Sequence, residues 1–160
     1  MIKGNWIIGG ENLKDAIGIR EAVFSGEMGL SGFSEDENDA YALHCVLYDD
    51  DAPAAYSRIY FDTDRFMLDD ICVKREFRGM QIGDMLARVT ILRALEYTDK
   101  LTIHCFESSA GFFERYGFMP NGQRDFIGKY PAVWLYAQGD GLKLAGKCAE
   151  CHGCGGCGEH

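Results

Sequence analysis

Two periodicities divide the chain into predicted helices and strands. In residues 83–97 the apolar side chains Leu86, Val89 and Leu92 recur at helical spacing. Shorter segments rich in β-branched and aromatic residues, bounded by Gly, Pro and Asp, are typical of strands. The predicted strands are 6–8, 41–48, 54–61, 65–73, 101–106 and 132–137, and the predicted helices are 13–24, 83–97 and 108–116. This order predicts an α/β (α+β) fold, a mixed sheet with helices on both sides. The segment 121–125 is interpreted as a solvated loop.

The size and composition of the chain fit one globular domain followed by a short tail. A chain of 160 residues that is 47% hydrophobic can bury a substantial core. We assign residues 1–138 to the domain and residues 139–160 to a tail rich in Gly and Cys. The first residues lack the apolar run of a signal peptide, and no stretch approaches the ~20 apolar residues that cross a bilayer. We therefore expect a cytoplasmic protein that does not bind a membrane.

The charge of the chain argues against one class of partner. The formal net charge is -9, with 25 acidic and 16 basic residues. Binding to nucleic acid needs clustered Lys and Arg to neutralise phosphates. We expect no nucleic-acid partner, and an acidic surface suits a cationic substrate better.

The most informative segment is residues 67–83, M-L-D-D-I-C-V-K-R-E-F-R-G-M-Q-I-G. In it a predicted strand runs into a charged turn and a glycine-bracketed loop, and a helix follows. The first amides of a helix have no intrahelical partner and lie at the positive end of its dipole, so they stabilise an anion. Gly79 and Gly83 let the backbone approach a ligand closely. The segment predicts a pyrophosphate site, although such glycines also suit a plain strand-to-helix turn.

Two motifs carry a resemblance to a known family. The loop from Arg78 to Gly83 resembles the acetyl-CoA signature [RQ]-x-x-G-x-[GA] of the GNAT superfamily of N-acetyltransferases: Arg78, Gly79 and Gly83 fit, and Gln81 does not. The segment 108–118, S-S-A-G-F-F-E-R-Y-G-F, resembles the second GNAT signature. The resemblance covers roughly residues 5–136. It implies the GNAT fold, with a mixed, mostly antiparallel sheet, and transfer of acetyl from acetyl-CoA to a primary amine of a small molecule or protein by direct attack.

The resemblance also implies which residues contact acetyl-CoA. Loop amides would surround the pyrophosphate. Gln81 still supplies an N–H donor, but its backbone would be strained if this position needs positive φ. The preceding strand would splay from its neighbour and bind the pantetheine arm, with the amide at Val73 or next to it facing the thioester carbonyl. The residues assigned to cofactor binding are Ile71, Val73, Arg78, Gly79, Gln81, Gly83, Asp84, Ser109 and Phe112.

The catalytic assignments rest on a strand carboxylate and a tyrosine. An amine arrives as ammonium, so a base must remove a proton before it can attack. Alternation along the strand places Asp69 on the same face as Ile71 and Val73, with Asp70 on the other face. Asp69 is the leading base and His104 the alternative. The tyrosine that commonly protonates the CoA thiolate is replaced by Phe113. Tyr116 is one candidate to replace it; Ser108, Ser109, a water or no dedicated acid are the others.

The tail carries a separate chemical signal. Its four cysteines, Cys148, Cys151, Cys154 and Cys157, recur every three residues, with two histidines and several glycines around them. Such thiolates bind zinc or another soft metal; a redox-sensitive tail or a disulfide is the alternative. The tail and Phe113 support a rival function, a non-catalytic module that binds acyl-CoA and senses a metal or redox state. The oligomeric state, monomer or homodimer, stays open.

Overall fold

The computed structural model of the protein describes residues 1–144. Its strands are β1 (Ile2–Ile8), β2 (Leu43–Asp49), β3 (Ala52–Asp62), β4 (Arg65–Val73), β5 (Lys100–Phe106), β6 (Met119–Ile127) and β7 (Tyr130–Gln138). Its α-helices are α1 (Lys14–Arg20), α2 (Ile82–Ala94) and α3 (Ala110–Glu114), and α1 continues into a π-helix, Glu21–Glu27. Short 3-10 turns cover Glu37–Tyr41, Arg75–Phe77, Glu107–Ser109 and Gly139–Gly141.

One sheet organises these elements. Its strand order is β1-β2-β3-β4-β5-β7-β6, and every neighbouring pair is antiparallel except β4 with β5. The α1 segment packs on one face, against Val46, Tyr56 and Cys72. Helices α2 and α3 pack on the other face, where Leu68 and Ile103 lie. The predicted mixed, mostly antiparallel sheet with helices on both faces is confirmed.

The strand β6 is the element that the sequence did not predict. It includes the segment 121–125, which was interpreted as a loop. All of its residues but the last are exposed, because β6 is an edge strand that pairs with β7 alone. No alternation of apolar and polar residues therefore marks it.

The chain beyond β7 still belongs to the packed body as far as it is described. Lys143 donates its amide to the Tyr116 carbonyl at 2.8 Å, and Leu142 and Leu144 pack against the core. No helix within residues 1–144 is both long enough and apolar enough to span a bilayer.

Candidate active site

The site is a cleft where β4 and β5 separate. The two strands pair only at Phe66 with Leu101, Met67 with Thr102 and Leu68 with Ile103, and they diverge beyond these residues. A cavity of about 260 Å³ lies in the opening. Its walls include Asp69 to Ile71 from β4, Ile103 to Phe106 from β5, and Ser109 and Phe113 from the segment after β5.

The β4 backbone directs one amide, that of Val73, away from β3 and towards this opening. The Lys74 amide donates to the Ala54 carbonyl at 2.9 Å, so residues 54 and 74 form a hydrogen-bonded pair. Val73 and Ala55 are the next pair along the register. Hydrogen-bonded and non-bonded pairs alternate between antiparallel strands, so the Val73 amide points away from β3, towards the gap.

The glycine-bracketed loop has the backbone geometry of an anion site. Gly79 has φ of +80° and Gln81 has φ of +62°, and α2 begins directly after Gln81. The amides of Ile82, Gly83 and Asp84 lie in the first turn and have no partner within the helix. The Arg78 amide differs, because it donates to the Arg75 carbonyl at 3.2 Å. The positive φ of Gln81 explains why a glycine is common at this position.

The Arg78 side chain is held by the protein. Its Nη1 and Nη2 donate to the two carboxylate oxygens of Glu27, at 2.6 and 2.5 Å, and its Nε donates to the Val73 carbonyl at 3.0 Å. Glu27 ends the π-helix and also accepts from Arg75 Nε at 3.2 Å. Arg78 therefore joins three parts of the site: the loop, β4 and the π-helix.

A bulge in β4 corrects the predicted orientation of the carboxylates. Arg58 of β3 is opposite Asp69 and Tyr56 is opposite Cys72, so one residue, Ser57, faces both Asp70 and Ile71. Asp70 takes φ of +49°. The extra residue resets the alternation. Asp69 and Asp70 both contact Arg58 on the α1 face, and the prediction that Asp69 shares a face with Ile71 is wrong.

Two buried arginines bind these carboxylates. Arg58 donates to Asp69 through Nε and Nη2, both at 2.8 Å, and so occupies both carboxylate oxygens. Arg20 of α1 donates to a single oxygen of Asp70, Oδ2, from Nε at 3.2 Å and Nη2 at 2.9 Å. Within residues 1–144 no group donates to Asp70 Oδ1. Asp70 thus keeps an oxygen available for a proton, which Asp69 does not.

The proton affinity of Asp70 is unusual. Burial, and then repulsion from Asp69, raise its pKa to about 7 against the attraction of Arg58 and Arg20. Its side chain remains 19% exposed, where it lines the cavity. A carboxylate with this pKa can take up a proton near neutral pH. Sequence reasoning favoured Asp69; the adjacent pair of aspartates was the available signal for Asp70.

The same arginines fasten the loop that precedes β2. Arg58 Nη1 donates to Asp36 at 2.6 Å and to Asp39 at 2.9 Å. Arg20 holds Asp39 through two further bonds, at 3.0 and 2.9 Å. Burial raises the pKa of Asp39, but Arg20, the Asp36 amide and Arg58 together hold the pKa below its usual value. The Asp36–Asp39 segment is thereby fixed beside the cleft.

The second motif contributes mainly packing. The Tyr116 hydroxyl donates to the Asp84 carboxylate in the first turn of α2, and burial and then this bond raise the pKa of Tyr116 to about 12. The Phe112 ring packs against Phe113 and Tyr116, at centroid distances of 5.1 and 5.5 Å. Of this motif only Ser109 and Phe113 line the cavity. The catalytic role of Tyr116 stays a prediction, and its hydroxyl already has a partner.

His104 lines the cleft and belongs to a small polar group. Its Nε2 lies 2.7 Å from Asp125 Oδ1, and Trp134 Nε1 donates to Asp125 Oδ2 at 3.1 Å. The His104 and Trp134 rings stack with centroids 4.3 Å apart. The imidazole is thus held by contacts on its edge and its face.

The predicted metal ligands cannot be placed in this geometry. Cys148, Cys151, Cys154 and Cys157 lie outside the described residues. Among residues 1–144, no group of His, Cys, Asp and Glu is arranged to hold a metal ion. Cys45, Cys72 and Cys105 are free and buried, and burial raises the pKa of each thiol.

Several proteins are similar to this chain in sequence or in fold. The chain is 26% identical over 124 residues to the uncharacterized N-acetyltransferase YjcF of Bacillus subtilis (strain 168), covering 73% of this chain and 85% of that protein. An acyl-CoA N-acyltransferase from Pseudomonas aeruginosa superposes with a TM-score of 0.78 at 16% identity, covering 86% of this chain and 99% of that one. A GNAT family acetyltransferase from Elizabethkingia anophelis, solved with acetyl-CoA bound, superposes with a TM-score of 0.63 at 18% identity, covering 86% and 97%.

A family model agrees with these similarities. The model of the acetyltransferase (GNAT) domain matches residues 40–120, half of the chain. The matched region begins directly after the Asp36–Asp39 segment. It includes β4 and β5, the glycine-bracketed loop and the second motif. The two sequence motifs, the separation of β4 from β5 and the family match lead to one conclusion: the chain belongs to the GNAT family and is an acyltransferase.

Proposed function

We propose that the protein transfers the acetyl group of acetyl-CoA to a primary amine by direct attack on the thioester. One observation carries the proposal: the cleft places the outward amide of Val73 on the same strand as Asp70, whose carboxylate lines the cavity. The first can stabilise a developing oxyanion and the second can accept a proton. Direct attack needs both within one site.

The cofactor side of the site fits a pyrophosphate and a pantetheine arm. The amides of Gly79, Gln81, Gly83 and Asp84 would bind the pyrophosphate, and the open edge of β4 at Ile71 and Val73 would pair with the arm. The Arg78 side chain is occupied by Glu27. We therefore infer that Arg78 shapes the loop and contacts the phosphates less directly than its amide neighbours.

The Asp69–Asp70 pair supplies the base. Asp70 takes the proton from the ammonium, directly or through a water, because Oδ1 is available and its pKa is raised. Asp69 is bound on both oxygens by Arg58, and its repulsion is one cause of the raised pKa of Asp70. Asp69 thus acts by raising the proton affinity of Asp70, and His104 is the alternative base on the opposite wall.

At the position where a tyrosine commonly protonates the departing thiolate, the cavity wall has Phe113. Ser109 is the hydroxyl of the second motif that lines the cavity, so we propose that it or a water protonates the thiolate. Tyr116 is the less favoured candidate, because its hydroxyl donates to Asp84.

Transfer is tested by incubating the purified protein with acetyl-CoA and a broad amine panel, while CoA release and the acetylated product are both measured. We expect product and CoA in equal amounts with at least one amine. Binding of CoA without transfer to any amine would contradict the proposal and favour the non-catalytic sensing module.

We propose further that the cysteines of the tail bind zinc or another soft metal. The support is their strict three-residue spacing in a glycine-rich segment. Metal content of the whole chain, measured beside the variant with Cys148, Cys151, Cys154 and Cys157 replaced by Ser, tests this. A whole chain free of zinc and iron would contradict it.

A further inference from the structure

The acceptor side of the cleft carries an excess of negative charge. Asp36, Asp69 and Asp70 line the cavity, and Arg58 is the one Lys or Arg side chain among its lining residues in the described part of the chain. Arg58 is 2% exposed, and its Nε, Nη1 and Nη2 all donate to aspartates. A carboxylate on the acceptor would therefore find no lysine or arginine to pair with among these residues, and the Nε2 of His104, the other basic side chain of the wall, already lies 2.7 Å from Asp125 Oδ1.

Part of the cavity wall is aromatic. Phe24, Phe33, Phe106 and Phe126 line it. Phe24 and Phe106 pack with centroids 6.3 Å apart, and Phe126 is 68% exposed. Exposed aromatic surface beside carboxylates suits a ligand with a cationic end and an apolar body.

We propose that the acceptor is an arylalkylamine or alkylamine that carries no carboxylate near its amino group; this rests on the proposed function. The ammonium end is drawn to Asp70 and Asp36, and the apolar body packs against Phe33 and Phe126. The reacting nitrogen must come within about 3 Å of Asp70, or within reach through one water. An α-carboxylate would then lie in a cavity that is lined by three aspartates. The cleft therefore selects against α-amino acids by charge repulsion.

Matched pairs of acceptors test the inference. 2-Phenylethylamine and phenylalanine, or tyramine and tyrosine, differ by the carboxylate alone. We expect kcat/KM with acetyl-CoA to be higher for the amine by on the order of 100-fold, because like charges placed together in a binding site are strongly disfavoured. Phenylalanine amide, which is larger but neutral at that position, should recover most of the activity and so separates charge from size.

The variant Asp36→Asn should reduce the preference for the amine over the amino acid several-fold, since it removes one negative charge from the cavity wall. Asp64→Asn, in the exposed turn between β3 and β4, is the matched control and should leave the preference unchanged.

The outcomes separate the two proposals. Equal or better turnover of amino acids, or no activity with monoamines beside activity with another amine class, would overturn the inference and leave the acetyl transfer standing. No transfer to any amine, with acetyl-CoA bound, would overturn both.

Discussion

Asp70 combines three properties that rarely occur together in one carboxylate. It lies at a bulge with φ of +49°, it binds a buried arginine through one oxygen only, and it faces a cavity. Backbone conformations of this kind persist where the surrounding structure enforces them, often at functional sites. Here the bulge turns both aspartates towards the arginines and the cavity.

The variant Asp70→Asn should lower kcat on the order of 100-fold, a usual effect of losing a general base. In the wild type, kcat/KM should rise with pH through an apparent pKa near 7, because the base acts when it is deprotonated. That rise should be absent in Asp70→Asn. Rate profiles from pH 5.5 to 9 measure it, with Asp64→Asn as control. An unchanged profile in Asp70→Asn would move the role to His104.

Gln81 tests whether the loop binds through its backbone. Gln81→Gly should retain CoA affinity and raise the free energy of unfolding by up to about 1 kcal/mol, because glycine adopts φ of +62° without strain. Gln81→Pro removes the amide and cannot adopt that φ, so CoA binding should be lost. Calorimetric titration with CoA measures both. Loss of affinity in Gln81→Gly would indicate a side-chain contact.

The sequence predicted the glycine-bracketed loop but not the orientation of Asp69 and Asp70. Arg78, Gly79 and Gly83 stand out because a tight backbone geometry limits the residue types that fit. The facing of Asp69 and Asp70 depends on a bulge, and one extra residue inverts every inference from alternation. Only the register between β3 and β4 contains that information.

At the scale of elements, the end of α3 is fixed by close backbone packing. Gly117 has φ of +106°, and a Cβ there would collide with the Gly141 carbonyl. Gly117→Ala should lower the free energy of unfolding by about 3 kcal/mol, from strain and overpacking combined. Thermal and urea unfolding measure it.

Gly111→Ala is the matched control, because nothing lies within 4 Å of a Cβ at this position in α3. It should be neutral or stabilise the protein by up to about 1 kcal/mol. Equal effects of the two alanine substitutions would contradict the packing seen at Gly117.

Elements with an apolar side were predictable, and the exposed one was not. The strands β2 to β5 and the helix α2 bury regular apolar positions, which set the pattern in the sequence. In β6 every residue but the last is exposed. The strand pairs with β7 through backbone hydrogen bonds, which do not restrict the choice of side chains.

At the scale of the whole molecule, Arg58 of β3 links β4 to the segment that precedes β2. It bonds β4 through Asp69 and the Asp36–Asp39 segment through both of its aspartates. Arg58→Met should cost about 3 kcal/mol of unfolding free energy, because removing one partner leaves buried carboxylates facing one another. The deficit should shrink from pH 7.5 to 4.5, because Asp70, whose pKa is raised to about 7, is neutral at the lower pH and then repels its neighbouring carboxylates less. Urea unfolding at pH 7.5 and 4.5 tests this; an equal deficit at both would indicate lost packing alone.

The central claim is that this cleft transfers an acetyl group to an amine. The most direct measurement follows the acetyl label from labelled acetyl-CoA to 2-phenylethylamine and to the rest of an amine panel, with wild type and Asp70→Asn side by side. The account predicts labelled amide and free CoA in equal amounts for the wild type, and a loss on the order of 100-fold for Asp70→Asn. Acetyl-CoA binding without labelled product from any amine would contradict it.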